Sequence, residues 1–114
     1  MAGPMEGIRV VELGVWVAGP AAGGILGDWG AEVIKIELPE IGDMGRHVGV
    51  LEGLGTSAFW EACNRGKRSV TLDLRVEAGK EAFLKLVEAS DVVLSNFQPG
   101  TLDGWGLGYE DLAA

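Results

Sequence analysis

Among its 114 residues the chain has one cysteine, one histidine and one tyrosine. Cys63 alone can make no internal disulfide, and a lone thiol fits a reducing compartment. Cys63 and His47 together fall short of a metal's ligand set, so no metal is expected. Neither has an obvious catalytic partner, and they read as a packed thiol and a loop histidine. Cations are scarce as well. Nine Lys and Arg stand against seventeen Asp and Glu, for a formal charge of −8. So acidic a chain should avoid nucleic acid and anionic membrane surfaces except through a local basic patch. No apolar stretch is long enough to span a bilayer. Residues 1–6 lack the positive start and apolar run of a secretion signal, and a cytoplasmic location is expected. The 19 glycines follow no repeat period, which excludes collagen-like and low-complexity readings. What remains fits one domain of ordinary size, with 47% hydrophobic residues to build its core.

The most informative stretch is 8–37. Residues 8–13 are rich in Ile, Val and Leu and end at Gly14, a strand signal. Residues 15–20 form a tight connection. Pro20 suits the first turn of a helix, where its missing N–H would have no partner anyway. That helix is expected over 21–29, with Gly30 as a left-handed cap. A second strand follows at 33–37. So compact a strand–helix–strand unit implies a parallel pair with a right-handed crossover. Ligands of open parallel sheets bind outside the carboxyl ends of the strands. The turn 14–20 is therefore the first place to expect one.

Further along, 38–55 is Gly-rich and aperiodic, a long loop carrying Asp43, Arg46 and His47. A loop of this length usually has a function or a partner that orders it. Residues 56–64 predict a short helix capped by Thr56 or Ser57, with Phe59 and Trp60 turned inward. Residues 69–74 alternate as a strand. The clearest helix is 77–89, with Phe83, Leu84 and Val87 on one face and a favourable Glu81–Lys85 pair. Residues 91–94 read as a buried strand. Asn96 to Gly100 is a turn fixed by Pro99 and Gly100. Short helical turns follow at 101–105 and 109–112.

Nucleotide motifs fail on inspection. Gly14 and Gly19 have the spacing of a phosphate-binding loop, but Pro20 and Ala21 stand where Lys and Ser or Thr are needed. The dinucleotide fingerprint is absent, although Glu37 ends the second strand where a ribose-binding acid would sit. Gly23, Gly24 and Gly27 weaken a helix by roughly 1 kcal/mol each relative to Ala. Close approach of another helix, or of a ligand, would offset that cost. The one basic cluster, Arg65, Lys67 and Arg68, is either a phosphate site or a solvated turn before a strand. Trp16 is either core or a ligand platform. Asp73 and Asp91 flank the clearest helix and read as structural.

Five ordered blocks, GIRVVELGVWVAGP, LGDWGAEVIKIE, GDMGR, NRGKRSVTLDL and NFQPGTLDGWGLGYEDL, together resemble the family III CoA-transferases. That family includes formyl-CoA transferase, carnitine CoA-transferase and α-methylacyl-CoA racemase. The blocks cover about residues 7–112 in the family's order. The resemblance implies an α/β fold: a Rossmann-like parallel sheet with flanking helices, the N-terminal part of an interlocked-dimer fold. It implies that residues 1–114 are the CoA-binding portion of a chain several times longer. The family's anhydride-forming aspartate, and the acid–base residues of its racemase branch, would lie beyond residue 114, so this chain alone should not turn over. CoA or acyl-CoA and a carboxylic acid are the implied substrates, with a homodimer or the rest of such a chain as partner. A racemase or a non-catalytic CoA-binding module is the alternative.

The family's CoA contacts fall here on Val15, Trp16, Val17 and Ala18, on Leu72 with Arg75 shortly after, and on Asn96 and Phe97. Leu38 and Gln98 stand where the family often has Arg, and both changes remove positive charge near an anionic ligand. The resemblance then implies either weaker phosphate and adenine binding or a charge supplied by Arg65, Lys67 and Arg68.

Overall fold

Four short runs pair side by side in the computed structural model, which describes residues 2–114. They are β1 (Arg9–Glu12), β2 (Glu32–Glu37), β3 (Arg68–Thr71) and β4 (Val92–Leu94). Their order is β3-β2-β1-β4 and every pairing is parallel. Helices α1 (Ala18–Asp28), α2 (Ala58–Asn64), α3 (Glu77–Glu88), α4 (Thr101–Gly104) and α5 (Tyr109–Ala113) connect and flank the strands, and a 3-10 turn forms at Met44–His47. This is the expected parallel sheet with flanking helices.

The two faces of the sheet differ in chemistry. Successive strand residues point to opposite faces. Val11, Ile34 and Ile36 join Leu13, Leu74, Phe83 of α3 and Leu107 in one apolar core. The residues between them, Val10, Glu12, Val33, Lys35 and Glu37, are also buried, but three are charged. Helix α1 covers this second face, packing against β1, β2 and α2.

Several boundaries differ from the sequence expectation. Helix α1 begins at Ala18, three residues early, so Pro20 is its third residue, still within the first turn. It ends before Trp29, and Gly30 has the left-handed φ of 104° expected of the cap. Ser57 caps α2, accepting from the Trp60 amide at 3.3 Å. Trp60 is buried there, whereas Phe59 is only half-buried. Strand β3 stops at Thr71 and is exposed throughout, because it forms an edge of the sheet. The run at 91–94, expected as buried, is the other edge: β4 pairs only with β1, and Val92 is exposed. Val93 still packs against the apolar core, while Val92 is left outside it. No ion pair joins Glu81 to Lys85 among the described residues.

Candidate functional site

The carboxyl ends of β1, β2 and β3 open onto a cavity of about 420 Å3. Its walls are mostly apolar, with Val15, Leu72, Phe97 and Trp105 among them, and Arg75 is the one cation in its lining. Phe97 meets Trp105 edge to face, centroids 5.9 Å apart. Position in the fold explains the grouping: Val15, Leu72 and Phe97 each follow a strand, and parallel strands deliver their exits to one edge.

Beside the cavity, the turn after β1 is held residue by residue. Lys35 Nζ donates to the Gly14 carbonyl at 2.8 Å. Asn96 accepts from the Val15 amide at 2.9 Å and donates to the Val15 carbonyl at 2.8 Å. The Trp16 amide donates to Asp43 Oδ1 at 3.1 Å. Trp16 has a φ of 62°, a left-handed value uncommon for a bulky residue. Its side chain is 47% exposed, so it is not a core residue. The turn also needs Gly19. A side-chain carbon there would lie 2.8 Å from both Asn96 Oδ1 and the Gly14 Cα.

Beneath the turn lies a charged cluster. Lys35 Nζ is 2.9 Å from Glu12 Oε2 and 2.9 Å from Asp43 Oδ2. The Asp43 contact is ionic rather than an aligned hydrogen bond. Lys67 Nζ donates to Glu12 Oε1 at 2.7 Å, the Pro20 carbonyl at 2.8 Å and Asn64 Oδ1 at 2.9 Å. Glu37 receives Arg46 through two bonds, the Asp43 amide at 2.9 Å and the Ser69 hydroxyl. Trp60 covers the cluster, with the Arg46 guanidinium 3.8 Å and Lys35 Nζ 5.5 Å from its ring centroid. Three acids and three bases balance, which lets the cluster be buried without net charge. Burial depresses the Lys67 pKa despite its partners. Burial also pushes the Glu37 carboxyl up, but the bonds from Arg46, Ser69 and the Asp43 amide outweigh it and bring it to about 2.

The structure thus separates the residues expected to bind. Val15, Leu72, Arg75 and Phe97 share the cavity wall. Trp16 and Val17 are exposed on the turn beside it, and Ala18 opens α1. Asn96 supports the turn through its backbone. Arg75 is held at the rim by Asp73, whose neighbouring guanidinium brings its carboxyl to about 2. The basic cluster must be corrected. The Lys67 side chain is only 3% exposed and its ammonium has three acceptors inside the chain, so it faces the core. Arg68 pairs with Glu32, the first residue of β2, at the opposite edge of the sheet from the cavity. Arg65 pairs with Asp28 at the end of α1. Of the glycines weighed as helix or ligand contacts, Gly24 lies against the Cys63 carbonyl of α2 and Gly23 against the Glu12 carboxylate. Glu37, at the place of a ribose-binding acid, is instead taken up by the cluster, and Asp43 joins the cluster from the loop. Sequence reasoning missed Glu12 and Lys35. The signal was there: Lys35 and Glu37, two residues apart in the otherwise apolar run 33–37, beside Glu12 in β1.

Known proteins share this sequence and this fold. The sequence signature of the CoA-transferase family III matches residues 5–114. The succinyl-CoA–D-citramalate CoA-transferase of Chloroflexus aurantiacus is 47% identical over 111 residues, covering 97% of this chain and 28% of that protein. The succinate–glutarate CoA-transferase of Agrobacterium fabrum is 45% identical over 115 residues, covering 96% of this chain and 29% of that protein. The crystal structure of a CAIB/BAIF family protein from Brucella suis superposes with a TM-score of 0.89 at 47% identity, over 98% of this chain and 30% of that one. The chain therefore spans under a third of the length of the relatives it matches. A signature along almost the whole chain, on the same fold, makes it a member of the CoA-transferase family III.

Proposed function

We propose that this chain forms the CoA-binding part of an acyl-CoA transferase, one that moves CoA from an acyl-CoA to a free carboxylic acid. The observation that carries the reading is the single wall formed by Val15, Leu72, Arg75 and Phe97 at the carboxyl edge of the sheet, with Trp16 exposed beside it. The apolar wall suits the neutral pantetheine arm. Arg75 is the cation in reach of a phosphate, by the charge-assisted bonding that phosphates favour. Trp16 and Phe97 offer flat apolar surface, and Asn96 holds the turn that presents Trp16. Lys67 and Arg68 have no part in this site.

The Chloroflexus and Agrobacterium relatives are named as CoA-transferases, which favours transfer over racemisation at the carbon beside the thioester. The proposed chemistry uses the thioester itself and asks for no metal. We place the protein in the cytoplasm, in a dimer. Val48, Val50, Leu51 and Leu54 leave apolar surface exposed along the loop before α2, as interfaces do. Calorimetric titration of CoA into the chain tests the reading. Saturable binding, weakened by Trp16→Phe and by Arg75→Ala, is expected. No binding at millimolar CoA would overturn it.

A further inference from the structure

We infer that Asp43 is a positioning residue, which with Lys35 and Asn96 presets the turn at residues 14–16 in the bent form that presents Trp16 to CoA. The inference rests on the CoA reading for its ligand, and on the geometry alone for the turn.

Three consecutive residues are each held by a different side chain from a different part of the fold. Lys35 comes from β2, Asn96 from the exit of β4, and Asp43 from the loop before the 3-10 turn. The φ of Trp16 is one that a bulky L-residue avoids when free. A conformation of that kind persists only when its surroundings over-determine it. Asp43 supplies what is needed at that residue. Its Oδ1 accepts both the Trp16 amide at 3.1 Å and the Gly45 amide at 2.9 Å, while Oδ2 faces the Lys35 ammonium. The carboxylate is therefore rigid, and the bend is formed before a ligand arrives. A site ordered in advance binds more tightly, because the ordering cost does not fall on the ligand.

Glu12 makes the claim testable. It is as buried as Asp43 and lies at the same 2.9 Å from Lys35, but it touches no backbone of the turn. If Asp43 mattered only as a buried acid, Glu12→Gln would do the same harm.

The experiment uses the 114-residue chain and measures three things: urea stability, hydrogen exchange at the Trp16 amide without ligand, and CoA affinity. Asp43→Ala should expose the Trp16 amide, raising its exchange about tenfold beyond that of neighbouring core amides. CoA affinity should fall about tenfold with it. Glu12→Gln should lower stability while leaving Trp16 protection and CoA affinity within about twofold of wild type. Asp43→Asn keeps an oxygen for the two amides and should restore most of the protection, and it carries the test if the alanine variant does not fold. Equal loss of Trp16 protection in Glu12→Gln, or full protection in Asp43→Ala, overturns the inference. Wild type that fails to bind CoA overturns the functional reading instead, and the exchange results still decide whether Asp43 sets the turn.

Discussion

Lys35 and Glu12 pair at 2.9 Å with neither side chain reaching solvent. They are cross-strand partners by design of the register, since Glu12 lies directly opposite Lys35 in the β1–β2 pairing. A buried ammonium between two carboxylates is tolerated because Asp43 and the Gly14 carbonyl complete its shell. Removing one member of such a set leaves the rest uncompensated. Lys35→Met should therefore cost about 3–5 kcal/mol of stability, measured by urea denaturation. A cost like that of an exposed pair, under about 1 kcal/mol, would mean that water reaches the cluster.

Acid should weaken the fold through Glu37. Its folded pKa, about 2, lies below the ordinary 4.5. Its stabilising contribution is thus complete above about pH 4.5 and is lost as pH falls toward 2, up to roughly 3 kcal/mol in all. Urea midpoints across that window should fall in wild type, and the slope should flatten in Glu37→Gln. Asp73 is brought as low by Arg75, but that pair is at the surface, and Asp73→Asn should leave the slope nearly unchanged.

Much of this was legible in the sequence, and the gaps have physical causes. The first strand–helix–strand unit and α3 show because local period and punctuation fix them. The family blocks carry Val15, Leu72 and Phe97, with Arg75 just past the fourth block, and all four line the cavity. Lys67 and Arg68 were misread because neighbours in sequence share charge but not direction. One points under α1 and the other lies at the far edge of the sheet. The pairing of Lys35 with Glu12 and Asp43 depends on register and on a loop returning to the strand, neither of which composition or period encodes. Strand β4 looked central because its residues are apolar, and only the strand order shows it at an edge.

Two glycines of α1 should respond in opposite directions to the same change. A methyl group at Gly23 would overlap Glu12 Oε1, which Lys67 and Lys35 hold in place, so no flexible end can yield. At Gly27 it would rest 3.7 Å from Val33 Cγ2, an ordinary contact. Gly27→Ala should stabilise by up to about 1 kcal/mol through helix propensity. Gly23→Ala should destabilise by about 1–3 kcal/mol through overpacking. Thermal melts of the two variants beside wild type would show whether α1 approaches the carboxylate as closely as described.

The last prediction separates the three basic residues by what each can reach. Lys67 is buried with three acceptors, Arg68 is 73% exposed at the amino edge, and Arg75 is exposed at the cavity rim. Lys67→Met should lower stability by about 3 kcal/mol, since it strips Glu12 of a buried partner. Arg68→Ala should change stability by less than about 1 kcal/mol and leave CoA binding alone, because its guanidinium lies a sheet's length from the cavity. Arg75→Ala alone should weaken CoA binding in a salt-dependent way, removing the charge that attracts the phosphates against a net −8. In wild type, added salt should weaken binding, and in Arg75→Ala that dependence should shrink or reverse, since salt then chiefly screens repulsion. Calorimetry at low and high salt reads all three. A salt dependence that survives Arg75→Ala but disappears in Arg68→Ala would put the phosphates at the opposite edge of the sheet and refute the placement of CoA proposed above.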